Sequence, residues 1–241
     1  MERTMLSSKD AKPKGRKKFI IDCDIHATVD LNGVKRYLPR YYREMVETWG
    51  KRVPQQNLMY MNGGTNGSMN EYRPPRDQGE DDDAYLRYIQ ANHFDKYNIT
   101  YGILTGHDYG PHASPDVDYV AALCSASNDY VIDYFLSRDP RMKGSVQIPK
   151  QDPLQAAKEI DRVGKHPGMV QVVVSNGAEK PYGNRFYYPI YEACVRNNLP
   201  FAIHVSMEGI GINHPPTGAG YVSHYIEYRM ARTQVMMAHL A

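Results

Sequence analysis

Five short apolar runs recur along the chain, and a longer stretch with helical periodicity precedes each run after the first. The runs are rich in β-branched residues and mostly do not alternate with polar residues, which is typical of strands buried on both faces. The predicted strands are residues 18–24, 99–105, 143–149, 169–175 and 200–206, and the predicted helices are residues 83–97, 116–137, 152–164 and 184–197, with a last helix from about residue 220. Strands that alternate with helices predict a parallel sheet in an α/β fold.

Two of the predicted helices begin with good capping residues. Asp116 and Asp152 are of a residue type that accepts hydrogen bonds from the free N–H groups at a helix start. Pro153 suits the first helical position.

Residues 31–82 form a long insertion after the first strand, with the motifs GGTNG and RPPR. Connections of this length are uncommon unless they are functional, so we expect a lid or a contact arm there.

The composition is that of an ordinary soluble globular protein, with 41% hydrophobic and 23% charged residues and a net charge of +2. This balance gives no support for nucleic-acid binding, and no apolar run approaches the roughly 20 residues that span a membrane.

Basic residues cluster between positions 9 and 18, and we expect residues 1–17 to form a disordered basic arm. The 3 cysteines are widely spaced, which indicates reduced thiols and a cytoplasmic location.

Polar residues that could bind a metal stand near the ends of the first and fifth predicted strands. Asp24 and His26 are two positions apart, so both side chains point to the same face of an extended segment. His204 interrupts an apolar strand close to its carboxyl end, where parallel α/β folds collect their chemistry. One carboxylate and two imidazoles suit a divalent ion such as zinc, manganese or iron. Spacing alone also fits structural roles, with Asp24 binding backbone amides, His26 capping a loop and His204 packed in the core.

Three further residues are candidates for the catalytic site or the substrate pocket. His107 follows the second predicted strand, and His224 lies in the segment after the fifth. Arg185 is the third candidate, because a guanidinium group pairs bidentately with a carboxylate. We expect His93 and His166, by contrast, at the protein surface.

Three blocks of the sequence resemble the amidohydrolase superfamily, in the branch that includes 2-amino-3-carboxymuconate-6-semialdehyde decarboxylase and the resorcylate decarboxylases. The blocks are IDCDIHATVD near the start, DPRMKGSVQIPKQDP in the middle, and YYPIYEACVRNNLPFAIHVS followed by SHYIEYRMARTQVMMAHLA. They occur in the family's order, and the resemblance runs from about residue 19 to residue 241. It implies that Asp24 and His26 bind metal as the family's acid-x-His pair and that His204 matches the metal-binding histidine of strand five.

The resemblance covers the first five β/α units of a barrel that needs eight, so we expect an incomplete TIM-barrel-like (β/α) architecture. An open parallel sheet leaves backbone groups and apolar faces unpaired. We therefore expect a second subunit that supplies the remaining strands, or self-association with another copy, unless the sequence is a fragment of a longer protein.

The function that the resemblance implies is that of a subunit of a metal-dependent hydrolase or non-oxidative decarboxylase. The small-molecule substrate would bear a carbonyl or carboxylate group. The ion, with zinc expected first and iron or manganese as alternatives, would polarise a substrate oxygen or lower the pKa of a bound water. Two other functions stay open. The same ligand set occurs in non-haem iron enzymes that use oxygen, and a chain holding part of a site could be a non-catalytic structural or regulatory subunit.

Overall fold

The sheet has the parallel arrangement that the hydrophobic pattern predicts. The structure is a computed structural model that describes residues 19–27, 31–50, 83–105 and 114–204, together with Met237. Its strands are β1 (Ile21–His26), β2 (Tyr101–Thr105), β3 (Met142–Gln147), β4 (Met169–Ser175) and β5 (Phe201–His204). They form one sheet in the order β1-β2-β3-β4-β5, and every neighbouring pair is parallel. Consecutive parallel strands joined by helices are the building plan of a (β/α) barrel, as expected.

The four helices predicted between residues 83 and 197 lie where the periodicity places them, and two further helices occur between residues 31 and 49. The helix predicted from about residue 220 lies, apart from Met237, outside the described residues and stays a prediction. The described helices are α1 (Leu31–Val34), α2 (Arg40–Trp49), α3 (Ala84–Ile89), α4 (Val117–Val131), α5 (Pro153–Val163) and α6 (Tyr188–Arg196). π-helical turns extend α3 over Gln90–Asp95 and α4 over Ile132–Leu136, and 3₁₀ turns cover Lys35–Tyr37 and Arg185–Tyr187. No helix within these described ranges is long and apolar enough to cross a membrane.

The predicted helix starts are capped as their residue types require. Asp116 accepts a hydrogen bond from the backbone N–H of Tyr119 at 2.9 Å. Asp152 accepts one from Leu154 and one from Gln155, both at 3.1 Å. These bonds satisfy N–H groups that have no partner inside the helix, so local sequence fixes where α4 and α5 begin.

The first part of the predicted insertion is helical and packs against α4. The Tyr37 hydroxyl donates to Asp133 at 2.8 Å, and the Tyr42 ring centroid lies 5.3 Å from that of Tyr119. The remaining residues of the insertion, 51–82, lie outside the described residues, as does the basic arm at 1–17. A lid or contact arm at 51–82 and disorder at 1–17 stay predictions.

The hydrophobic core lies between the sheet and the helices. Its most deeply buried side chains come from both layers and are 0% exposed: Phe94, Leu104, Phe135, Val146, Ile160, Val172 and Ile190. Burial of this apolar surface is the main stabilising contribution, at about 25 cal/mol per Å². The helices and this core cover β2 to β4 on one face, so the carboxyl ends of these strands are held in fixed positions.

We expect Gly102→Ala to destabilise the protein by about 1–3 kcal/mol, the usual cost of overpacking a core. A methyl group at Gly102 would overlap the Ile25 side chain and lie 2.5 Å from Cζ of Phe94. Both neighbours are buried in the core, so the methyl group can be accommodated only if packed side chains shift. Urea denaturation measures the change. Gly183→Ala is the matched control, since a Cβ there has nothing within 4 Å. Equal unfolding midpoints for the two variants would show that the core around Gly102 yields freely.

Candidate metal centre

An irregularity in β1 sets the direction of its polar side chains. Asp22 pairs with Gly102 and Ile25 with Leu104, so β1 has one residue more than β2 over the same length. An extra residue of this kind is a β-bulge, which often re-aims side chains near active sites. Beyond the bulge, Ile25 joins the helix-side core, and Asp24 and His26 point to the opposite face.

Three potential metal ligands converge on this inner face. The Asp24 Oδ1 atom lies 3.1 Å from Nε2 of His26 and 3.2 Å from Nε2 of His204. One ligand atom from each of the three residues lies within 4.8 Å of those of the other two. Asp24 and His26 are largely exposed, whereas the side chain of His204 is 19% exposed. The structure thus brings together the three residues that the sequence suggested as metal ligands.

This convergence requires the sheet to curl. Neighbouring strands lie about 4.8 Å apart, so the two edges of a flat five-stranded sheet would be roughly 19 Å apart. β1 and β5 are the two edges of this sheet, yet His204 of β5 contacts Asp24 of β1 at 3.2 Å. The sheet therefore has the curvature of a partial barrel, with the candidate ligands at the carboxyl ends of its strands.

The surroundings of Asp24 favour its ionised form. The hydrogen bond from His204, and next that from His26, hold the pKa of the Asp24 carboxyl well below its usual range. Thr105, the last residue of β2, adds a third hydrogen bond from Oγ1 to Oδ1 at 2.7 Å. Burial acts in the opposite direction but is outweighed. Asp24 is therefore a carboxylate, the form that binds cations.

The donor set fits a divalent transition metal. Ligand atoms bonded to one ion at about 2.1 Å, and separated by roughly 90–110°, lie about 3.0–3.4 Å from one another. Both distances from the Asp24 oxygen fall in this interval. A set of one carboxylate and two imidazoles suits zinc, manganese and iron. Asp24, His26 and His204 are the residues that would hold such an ion.

The other predicted site residues are not part of this cluster as described. Arg185 is exposed on the 3₁₀ turn before α6, and the described contacts of the three candidate ligands do not include it. His107 and His224 lie outside the described residues, so their roles stay predictions. His93, which we expected at the surface, is instead partly buried, with Nε2 2.7 Å from Oδ2 of Asp22.

A cavity of about 450 Å³ adjoins the cluster. Asp24 and His26 line one side of it, and α3, its π-helical turn and the residue that follows supply the other side with Tyr85, Tyr88, His93 and Lys96. This volume is within the range of small-molecule sites, roughly 300–1,000 Å³. A small molecule can therefore reach the exposed sides of Asp24 and His26.

Comparison with solved structures finds proteins of the same architecture. A dihydroxybenzoic acid decarboxylase from Polaromonas sp. JS666, with bound manganese and the inhibitor 2-nitroresorcinol, is 18% identical with a TM-score of 0.53, and the match covers 92% of this chain and 58% of that one. 4-Oxalomesaconate hydratase from Rhodopseudomonas palustris is 19% identical with a TM-score of 0.52, and the match covers 91% of this chain and 57% of that one. 5-Carboxyvanillate decarboxylase from Novosphingobium aromaticivorans DSM 12444, complexed with manganese, is 21% identical with a TM-score of 0.50, and the match covers 83% of this chain and 54% of that one.

These likenesses establish the fold, and the chain spans between half and three fifths of the length of the three structures. A comparison with curated proteins gives no match. The amidohydrolase family model, in contrast, matches residues 21–240. That match includes all five strands and the three candidate ligands. The chain therefore belongs to the amidohydrolase family.

Proposed function

We propose that this chain supplies part of the active site of a metal-dependent hydrolase or non-oxidative decarboxylase. The proposed substrate is a small molecule with a carbonyl or carboxylate group. One observation carries the proposal: Nε2 of His26 and Nε2 of His204 both approach a single oxygen of the ionised Asp24 side chain. A carboxylate that lies between two imidazoles, one on its own strand and one from the opposite edge of the sheet, suits a divalent metal ion.

A divalent ion held by these three residues would polarise a substrate oxygen and acidify a water molecule. Zinc is the first expectation from the sequence. Manganese gains support from the related decarboxylases, two of which were crystallised with it. The donor set itself suits either metal, and also iron.

The chain's own side chains have defined tasks in this proposal. Thr105 orients the Asp24 carboxylate through its hydroxyl group, and the two histidines keep that carboxylate ionised. Both hydrolysis and decarboxylation also need a group that moves a proton. We propose His107 and His224 for that task, and Arg185 as a partner for a substrate carboxylate.

We further propose that additional β/α units complete the barrel around this site. The relatives of this fold are nearly twice as long as the matched part, and β1 and β5 are the edges of the described sheet. Unpaired strand edges favour association with another chain. A second subunit is the proposed partner, self-association is the alternative, and a longer chain of which this sequence is a part would supply the same units itself. Native mass spectrometry of the protein from its own source would distinguish a heteromer from a homomer.

Metal reconstitution tests the proposal directly. The protein is stripped with a chelator and reloaded separately with Zn²⁺, Mn²⁺ or Fe²⁺, and its metal content is measured. We expect about one ion per chain, because the described ligands form a single cluster of three. Turnover is then assayed with hydroxybenzoic acids, including 2,6-dihydroxybenzoate and 5-carboxyvanillate, and with simple amides and lactones. No ion bound by any preparation, including the complete assembly, would contradict the proposal.

A second candidate function is favoured by the ligand set itself. One carboxylate and two histidines is also the facial triad of non-haem iron enzymes that use oxygen. Turnover that requires both iron and oxygen would identify this function. Full activity under anaerobic conditions with zinc or manganese would exclude it. A complete assembly that binds metal through this chain without turnover on any substrate would instead support the non-catalytic role.

A further inference from the structure

We propose that Asp22 and His93 are positioning residues that hold the β1 bulge in place and thereby aim the Asp24 carboxylate at the two histidines. The inference rests on the proposed metal site, which it deepens. It concerns a residue pair on the opposite face of β1, where neither side chain is itself a candidate ligand.

The Asp22 carboxylate uses both of its oxygens to brace the bulge. Oδ1 accepts a hydrogen bond from the backbone N–H of Asp24 at 3.0 Å, and Oδ2 lies 2.7 Å from Nε2 of His93. A bulge removes backbone groups from the regular ladder, and these groups need other partners. Asp22 supplies that partner for the very residue whose side chain must turn inward.

His93 is itself held firmly. It lies in the π-helical turn Gln90–Asp95, and its ring meets those of Phe94 at 5.9 Å and Tyr97 at 5.8 Å. Phe94 is completely buried, and its backbone oxygen accepts a hydrogen bond from Ile99 at 2.9 Å. π-helical turns are rare and occur frequently at functional sites. The turn anchors His93 to the core and fixes the angle from which it reaches Asp22.

The pair explains why the acid two residues before Asp24 is not a third carboxylate in the cluster. In an unbroken strand Asp22 and Asp24 would share a face. The extra residue places Asp22 among the helices, where His93 meets it. Groups that orient metal ligands through hydrogen bonds typically change metal affinity by about 10–100-fold when they are removed. We expect an effect of that size for Asp22.

The support that Asp22 and His93 give to the bulge is called the brace here. It is tested by titrating the full-length chain with Co²⁺ and monitoring the visible absorption of the bound ion. We expect Asp22→Ala to weaken Co²⁺ binding by about 10–100-fold and to alter the absorption band, because the band reports ligand geometry and not stability. Asp22→Asn keeps an oxygen for the Asp24 amide and should stay within a few-fold of the wild type. His93→Phe should weaken binding, and His93→Gln should restore part of the loss. His166→Phe is the matched control, since His166 lies before β4 and contacts Gly168.

The outcomes separate the brace from the metal site. If the wild type does not bind Co²⁺, or if His204→Ala binds it equally well, the proposed function fails and the brace fails with it. If binding depends on His204 but Asp22→Ala and His93→Phe both match the wild type in affinity and absorption band, the metal site stands and the brace is overturned. Should Asp22→Ala not fold, His93→Phe decides, because it leaves the strand sequence intact.

Discussion

His204→Ala should remove divalent metal binding, with a loss of affinity greater than about 100-fold, which exceeds the usual effect of losing an orienting group. His204 contributes one of three converging ligand atoms, and it does so from the strand at the far edge of the sheet. The two remaining candidates, Asp24 and His26, lie two positions apart on β1, are largely exposed and offer only a two-point contact. The loss should therefore be larger than for any residue that acts through a ligand.

Isothermal titration calorimetry with Mn²⁺ or Zn²⁺ measures this loss, and the turnover of the complete assembly should disappear with it. The urea midpoint of the metal-free variant shows whether folding has suffered. The wild type should gain stability when metal is added, because an ion that binds only the folded state shifts the equilibrium towards it. The variant should gain none at the same concentration. Unchanged affinity in His204→Ala would mean that the cluster is only a hydrogen-bonded crossing between β1 and β5.

Thr105→Val should have a smaller effect on the same measurement. The valine keeps the shape of the side chain and deletes the hydrogen bond to Asp24 Oδ1. Removal of a group that orients a metal ligand typically costs about 10–100-fold in metal affinity, which is less than the loss expected for His204→Ala. If Thr105→Val cost as much metal affinity as His204→Ala, that result would contradict the assignment of His204 as a ligand and of Thr105 as a support for Asp24.

The order of the elements and the candidate ligands were predictable from the sequence for a simple reason. Hydrophobic runs mark buried strands, and capping residues such as Asp152 mark helix starts, so both depend on local chemistry. Asp24 and His26 share a face in any extended segment, which the two-residue period guarantees. The meeting of β1 with β5 followed only from the family resemblance, because curvature is a property of the whole sheet.

The features that were missed depend on register and on contacts distant in sequence. The bulge between Asp22 and Ile25 appears only when β1 is aligned with β2. His93 was expected at the surface because nothing near it in the sequence indicates that a π-helical turn carries it to Asp22. Thr105 could have been considered, since it is the polar end of an apolar strand next to the first. None of these positions breaks a local sequence rule, which is why local rules do not find them.

Lys150 is a further residue that the sequence did not single out, and it is nearly inaccessible to solvent. It follows β3 and is 3% exposed. Its Nζ donates to Oγ of Ser175 at 2.5 Å, to the backbone oxygen of Ser175 at 3.2 Å, and to that of Gly177. Burial lowers the pKa of Lys150 to about 7, although the charge of Glu179 opposes the change. The amine therefore ties the end of β3 to the end of β4.

This pKa links the stability of the fold to pH with a definite sign. The unfolded chain holds the Lys150 proton up to pH ~10.4, whereas the folded chain releases it near pH 7. Between these values the unfolded state binds more protons, so the free energy of unfolding rises with pH by up to about 1.4 kcal/mol per pH unit. The contribution is unfavourable at and below pH 7 and disappears as pH approaches the unfolded value.

The expected result is a difference between the wild type and Lys150→Met that changes with pH. From pH 7 to pH 9.5 the wild type should gain about 3 kcal/mol relative to the variant in urea denaturation, whatever the difference at pH 7. Tyrosines and cysteines titrate in both proteins and cancel in the comparison. Lys158→Met on the exposed side of α5 is the control, and its difference from the wild type should stay flat.

If the difference in unfolding free energy between the wild type and Lys150→Met does not change with pH, the three acceptors keep the ammonium charged inside the protein. The distinction matters for the candidate metal centre, because Ser175 pairs with His204 and the Asn176 N–H donates to the His204 carbonyl at 3.0 Å. Lys150 thus holds the strand end against which His204 is registered.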